Sequence, residues 1–277
     1  MLFLASALAF VSIGQLIVLM TGGIDLSVGP LTGLIVVILS FFADETHGPL
    51  DFVLGLALAL AVAAFIGFLN GFLIRIIKLS PLITTLAMFI ALQGVSLLLR
   101  STPDGFYSRS ITQALTTHMG PLPMAFLAAA VVTILLEIAL RRTRFGMEIR
   151  AIGSNEVVAH RLGAQVNRTG ILAYVLCSCF AAVGGLLLAA QVGVGDPTVG
   201  QNYTLQSISA VVLGGASIFG GRGSFLGALA GVVLVQEITA TTGFLGLGTA
   251  WQYWLPGILI LAATAMYSRT RRGAAAY

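Results

Sequence analysis

Long runs of apolar residues alternate with short polar connections along the whole chain. A helix needs about 20 residues to cross a bilayer core of about 30 Å, and most of these runs approach that length. A transmembrane β-barrel would instead show short segments in which apolar and polar residues alternate. The pattern predicts an all-α, polytopic membrane bundle with about nine spanning segments, near residues 2–21, 27–43, 52–76, 82–100, 121–140, 169–191, 205–220, 225–243 and 251–267.

The composition supports the same class of protein. Hydrophobic residues make up 58% of the 277 residues, charged residues make up only 9%, and the mean hydropathy is +1.02. A soluble domain carries roughly a quarter charged residues. We therefore interpret residues 1–277 as a single transmembrane domain whose partners include the lipid bilayer.

The positions of the basic residues orient the predicted segments. Lys and Arg near the ends of membrane helices collect on the cytoplasmic side. If the segments alternate in direction, only Arg100 and Arg109 of the 14 basic residues fall on the opposite side. This orientation places residues 141–168 and the C-terminus in the cytoplasm. It also explains the net charge of +4 by topology, so we expect no binding to nucleic acid.

The same alternation places Met1 on the outer face, with no flanking charge to hold it there. The opening run also lacks the basic region and the cleavage site of a signal peptide. One interpretation is that a first helix is missing from this sequence. The other is that all nine segments are real, because a first segment without charges is only weakly oriented by the charge rule.

Residues 21–29, TGGIDLSVG, interrupt the apolar pattern, and we call them the glycine-rich break. Gly22 and Gly23 are expected to end one helix, and Asp25 or Ser27 to cap the next, because unpaired amides are costly at membrane depth. A hinge or gate is a second interpretation of the same four residues. The two interpretations are compatible.

The cytoplasmic segment 141–168 mixes apolar residues with charges of both signs, which is typical of a structured region. Residues 153–155 resemble a turn with an N-cap, and a short amphipathic helix is expected to begin at Glu156 and to end at Gly163. Such a helix would suit a partner protein as a docking surface. A solvated loop, the alternative, would leave apolar residues exposed without a purpose: Ile149, Ile152, Val157, Val158 and Leu162.

Polar side chains inside apolar segments are candidates for lining a solute path, because such groups tend to face the bundle interior. The candidates are Asn70, Gln93, Gln206 and Gln236, with Gln191 and Glu237 as further members of the group. Side-chain amides also bridge membrane helices structurally, and that alternative stays open.

Several kinds of chemistry find no support in the sequence. The phosphate-binding loop G-x-x-x-x-G-K-[ST] needs a lysine, and Lys78, the one lysine in the chain, follows two isoleucines. No H-E-x-x-H or G-x-S-x-G motif is present. Cys177 and Cys179 lie two apart in an apolar segment and are expected to be packing residues. We therefore expect no catalytic residue and no metal site.

Four segments together carry a resemblance to a known family. They are the glycine-rich break, SPLITTLA at residues 80–87, RAIGSNEVVAHRLG at residues 150–163, and AVVLGGASIFGGRGSFLG at residues 210–227. In this order and over nearly the whole chain, they resemble the ribose-type permease family of ATP-binding-cassette (ABC) importers. Members of that family typically begin with one more spanning helix than the nine seen here.

The resemblance implies a multi-pass subunit of the bacterial inner (plasma) membrane that pairs with a second permease, as a homodimer or a heterodimer. It implies that separate ABC ATPase subunits hold ATP and Mg, and that this chain holds no cofactor. It also implies a periplasmic sugar-binding protein that delivers a monosaccharide or a similar solute. The family has a coupling helix within residues 150–163. The candidate residues in this helix and directly before it are Glu148, Arg150, Gly153, Asn155, Arg161 and Gly163.

The competing hypothesis is an ion-coupled secondary transporter, in which Asp25 or Glu237 would be the coupling carboxylate. Such transporters tend to have broken helices at corresponding positions in two halves of the chain. No convincing second copy of the glycine-rich break is found in this sequence. The importer permease is therefore the preferred interpretation.

Overall fold

The computed structural model describes residues 1–248, 250–252, 254–259 and 261. The helices are α1 (Leu2–Met20), α2 (Val28–Leu39), α3 (Pro49–Arg75), α4 (Pro81–Leu99), α5 (Arg109–Leu115), α6 (Met124–Arg142), α7 (Arg144–Ser154), α8 (Glu156–Arg161), α9 (Val166–Val192), α10 (Gln201–Leu213) and α11 (Phe225–Phe244). Four short strands accompany them: β1 (Asp104–Phe106), β2 (His118–Met119), β3 (Leu122–Pro123) and β4 (Val194–Gly195).

A polytopic helical bundle is thus confirmed. Within the described ranges, six helices are long and apolar enough to cross a membrane: α1, α3, α4, α6, α9 and α11. Helix α2 is shorter, and α10 ends at Leu213, well before the end of the segment predicted for 205–220, because Gly214 and Gly215 form a turn there. The ninth predicted segment, 251–267, lies largely outside the described residues, as does the C-terminus.

Helices α1 and α9 form the centre of the bundle. Every residue of α1 from Ala5 to Met20 is buried, and α9 packs against α1, α2 and α3. Glycines make these approaches close: a Cβ on Gly14 would lie 2.7 Å from the carbonyl oxygen of Cys177, and one on Gly67 would lie 2.6 Å from that of Tyr174. Small residues let helix backbones come together where lipid and protein are equally apolar.

Helices α3, α4 and α6 lie at the periphery and expose large apolar side chains such as Ile83, Leu98 and Leu135. These faces suit contact with lipid tails. Cys177 is fully buried beside Gly14 and Cys179 is half-buried, and both thiols are free.

The connections opposite α7 and α8 form a small ordered cap. Strand β1 pairs with β4, and β2 pairs with β3, both antiparallel. Tyr107 donates from its hydroxyl to the Val36 carbonyl at 2.5 Å, and Arg100 Nε donates to Ser40 Oγ at 2.8 Å. In the loop after α2, hydrogen bonds from Thr46 and His47 lower the pKa of Asp44 to about 2. This end of the bundle is therefore held by polar contacts between loops.

Candidate functional site

The segment predicted to be cytoplasmic folds into two short helices, α7 and α8. Asn155 separates them, and its Oδ1 accepts a hydrogen bond from the Val158 amide at 3.1 Å, so it caps α8 where the sequence places an N-cap. Gly163 follows α8 with a φ of +86°, a conformation that favours glycine. The turn predicted at residues 153–155 is shorter than expected, because Gly153 and Ser154 are the last residues of α7.

The apolar residues of this segment divide between two sides. Ile149 and Ile152 lie on the buried side of α7, where their exposed fractions are 2% and 3%. Val157, Val158 and Leu162 are exposed, and Leu162 reaches 81%. With the exposed Arg161, these three outward residues form what we call the docking face. An exposed apolar patch of this kind indicates contact with another protein or with lipid.

Glu148 braces the segment from within. Its carboxylate accepts hydrogen bonds from the Thr169 hydroxyl on α9 and from Arg144 Nε at 2.9 Å. The Thr169 hydrogen bond, with help from Arg144, holds the pKa of Glu148 below its usual value of 4.5. Glu148 therefore ties α7 to the start of α9.

Arg150 is half-buried in α7, whereas Arg161 is exposed at the end of α8. Arg161 lines a cavity of about 710 Å³ between α8, the start of α9 and the loop after α3. Lys78, Glu156, His160 and Arg168 line the same cavity, which is therefore rich in basic groups. The docking face and this cavity adjoin each other.

Gly153 brings the end of α7 into backbone contact with Met20, the last residue before the glycine-rich break, and with Gly221. A Cβ on Gly153 would overlap the carbonyl oxygen of Met20 and the amide nitrogen of Gly221. The Gly221 amide itself donates to the Met20 carbonyl at 2.9 Å. A Cβ on Gly220 would lie 2.9 Å from Gly22 Cα and 3.0 Å from the Gly153 carbonyl oxygen. Three main-chain segments, all distant in sequence, meet here with no side chain between them.

The glycine-rich break itself is ordered and polar. Gly22 has a φ of +82°, and Gly23 lies against the hydroxyl group of Tyr174. Asp25 is fully buried, and its Oδ1 accepts hydrogen bonds from the Ser27 amide at 2.9 Å and from the Ser27 hydroxyl at 2.6 Å. Ser27 occupies the N-cap position of α2 but makes no capping bond with its own side chain. Of the two residues considered as caps, Asp25 is the one that binds a backbone amide.

Neighbouring helices hold the break from the sides. Asn70 on α3 donates from Nδ2 to Ser27 Oγ at 2.9 Å, and Thr85 on α4 donates to the Ile24 carbonyl at 3.3 Å. Asn70 was expected to line a solute path. The structure places its side chain, 0% exposed in this single chain, in the polar network of the break.

The other three path candidates lie elsewhere. Gln93 on α4 donates to the Pro197 carbonyl at 3.1 Å, while Gln206 on α10 and Gln236 on α11 are half-buried. No hydrogen bond joins any two of the four candidates, all of which fall in the described ranges. Their role as a path stays a prediction. Among the residues that the structure describes, no group of three His, Cys, Asp or Glu side chains could hold a metal ion.

Arg75 is a residue whose position the sequence did not reveal. It ends α3, is only 7% exposed, and donates from Nη1 to Glu156 Oε2 at 2.9 Å and from Nη2 to the Thr21 carbonyl at 3.4 Å. Its side chain packs against Gly170 of α9. In the sequence it counts only as a basic residue near a segment end, and its partner lies 81 positions away. The one feature of the sequence that pointed to this contact was Glu156, a glutamate at the start of a helix with an N-cap.

Comparison with known proteins assigns this chain to a family. Residues 1–264 match the family model described as "Branched-chain amino acid transport system / permease component". The probable ABC transporter permease protein y4mJ of Sinorhizobium fredii is 34% identical over 275 residues, which cover 96% of this chain and 80% of the relative.

Two named sugar permeases are similarly related. The fructose import permease protein FrcC of Rhizobium meliloti is 34% identical over 96% of this chain and 76% of its own length. The ribose import permease protein RbsC of Bacillus subtilis is 33% identical over 91% of this chain and 79% of its own length. No solved structure is a significant match.

Proposed function

Because this chain belongs to the permease family of the branched-chain amino acid transport systems, we propose that it is the membrane subunit of an ABC importer for a monosaccharide or a sugar-like solute. The names of the ribose, fructose and galactose import permeases among its relatives support the sugar as substrate class. The observation that carries the proposal is the pair α7 and α8, which joins an exposed docking face to a backbone contact with Met20, the residue directly before the glycine-rich break.

The proposal includes the partners that such an importer needs. Separate ABC ATPase subunits bind ATP and Mg and hydrolyse the nucleotide, and they seat against the docking face. A periplasmic sugar-binding protein delivers the solute at the other end of the bundle, and a second permease, identical or different, completes the path. The chain lies in the bacterial inner membrane with nine spans in this sequence and a cytoplasmic C-terminus, as the basic residues of the loops support.

The proposed mechanism uses the residues of both regions. Closure of the ATPase subunits on ATP moves α7 and α8, whose shape depends on the Asn155 cap, the Glu148 brace and the Gly163 stop. Arg150 and Arg161 offer charge for pairing with the ATPase. Gly153 passes the motion to Met20 and so to the glycine-rich break that follows it, because backbone in direct contact cannot yield by side-chain rotation.

In this mechanism the glycine-rich break acts as the gate. Gly22 and Gly23 absorb the change in backbone direction, while Asp25 keeps the amide of Ser27 paired in each state. The four path candidates, Asn70, Gln93, Gln206 and Gln236, supply hydrogen-bonding groups to the solute as the two permeases rock apart. The selectivity for one sugar comes mainly from the binding protein.

The test is ATPase activity in nanodiscs that contain this chain, a candidate ATPase and the sugar-loaded binding protein. We expect stimulation that requires both this chain and the loaded binding protein. Arg161→Glu and Gly163→Pro should abolish stimulation while the chain stays inserted. Uptake that persists without ATP, with no stimulation by any partner, would instead establish an ion-coupled secondary transporter.

A further inference from the structure

The guanidinium group of Arg75 lies between the helix pair α7 and α8 and the glycine-rich break. One of its nitrogens contacts Glu156, the first residue of α8, and another contacts the carbonyl of Thr21, the C-cap residue that follows α1. The last carbonyls of a helix have no partner within the helix and attract a positive charge. Arg75 therefore caps α1 and pairs with α8 at the same time.

The two ends of the ion pair differ in exposure. The Arg75 side chain is 9% exposed and rests on Gly170 in the bundle, whereas the Glu156 side chain is 47% exposed at the surface. The arginine is thus held by the membrane helices, and the glutamate belongs to the outer helix that would meet a partner. Separating them would leave a buried cation without its counter-ion, which is strongly unfavourable. A displacement of α8 is therefore resisted unless Arg75 follows it.

We propose that Arg75 is a positioning residue for transport, whose ion pair with Glu156 and hydrogen bond to Thr21 couple the movement of α8 to the glycine-rich break. The proposal rests on the importer function proposed above. Gly153 makes a rigid backbone contact between α7 and Met20, directly before the break, and Arg75 adds a contact from α8 that depends on charge. The break then receives motion from both α7 and α8.

The experiment uses the full complex in nanodiscs, with sugar transported per ATP hydrolysed as the readout. Arg75→Gln and Glu156→Gln should each lower this ratio by about fivefold or more, the lower end of the usual range for coupled sites. Arg75→Lys should retain part of the ratio, because an ammonium keeps the charge but lacks the planar fork of a guanidinium. Arg142→Gln, at the exposed end of α6, is the matched control and should leave the ratio unchanged.

A merely structural role would change the amount of assembled complex and not the transport ratio, so assembly is measured by size-exclusion chromatography. Because Arg75 and Glu156 act through one contact, the double variant should be no worse than the more severe single variant. Wild-type ratios in both single variants, or fully additive losses, would overturn the proposal. Failure of Arg75→Gln to assemble, with a wild-type ratio in Glu156→Gln, would also overturn it. A wild-type complex without stimulation would instead refute the importer function itself.

Discussion

Replacement of Gly153 by alanine should disrupt the contact of α7 with Met20, the last residue of α1, and with Gly221. The new methyl group would overlap the Met20 carbonyl and the Gly221 amide, and both obstacles are backbone atoms that cannot rotate away. Overpacking of this kind costs about 1–3 kcal/mol. Displacing Gly221 would also weaken its hydrogen bond to Met20, which contributes about 0.5–1.5 kcal/mol. Alanine recovers about 1 kcal/mol because Gly153 is helical.

The net loss of stability from Gly153→Ala is therefore about 0.5–3.5 kcal/mol. The assay is thermal unfolding of the purified chain in detergent, followed by ATPase stimulation in the reconstituted complex. Gly94→Ala is the matched control, because Gly94 is also helical and a Cβ there would have no atom within 4 Å. We expect Gly94→Ala to be neutral or stabilising by up to about 1 kcal/mol. Equal melting temperatures for the two variants, with normal stimulation by Gly153→Ala, would refute the close contact.

Three further predictions concern the same region. Asp25→Ala should destabilise the chain by about 1 kcal/mol, the usual net contribution of a hydrogen bond, and Asp25→Asn should lose less because an amide oxygen still accepts from Ser27; unfolding in detergent separates the two. Gly163→Ala should cost about 1 kcal/mol because a residue with a Cβ is strained at a φ of +86°, and an unchanged melting temperature would contradict that backbone conformation. The low pKa of Glu148, caused first by Thr169, contributes stability that is present above pH 4.5 and is lost as the pH falls through the folded-state pKa. Glu148→Gln should flatten this acid limb of the stability profile, and an unaltered limb would show that Glu148 is not its source.

Much of the candidate site could be predicted because its signals are local. Gly22 and Gly23 followed by Asp25 indicate the end of one helix and the cap of the next from chemistry within a few residues. The helix from Glu156 and its end near Gly163 are similarly local, and the structure has them at those places. Local signals failed where a helix is stabilised by its neighbours, since α7 continues through Gly153 into the expected turn.

The role of the path candidates stays a prediction. Asn70 and Gln93 are both polar residues in apolar segments, and the structure gives each a hydrogen bond within this chain, to Ser27 and to the Pro197 carbonyl. Sequence cannot tell an amide that bridges helices from one that faces a solute, because both satisfy the same need for a partner in an apolar medium.

The sequence by itself determined that this chain is a helical membrane bundle, where its first helix breaks, and where the short helix α8 begins and ends. These properties follow from hydropathy and from cap chemistry, which act over a few residues. Only the tertiary structure decided that α1 is buried on all sides while α3 is exposed on one, because lipid and protein interior are equally apolar and hydropathy does not distinguish them. It also decided that Gly153 meets Met20 and that Arg75 meets Glu156, since both contacts join residues far apart in the chain.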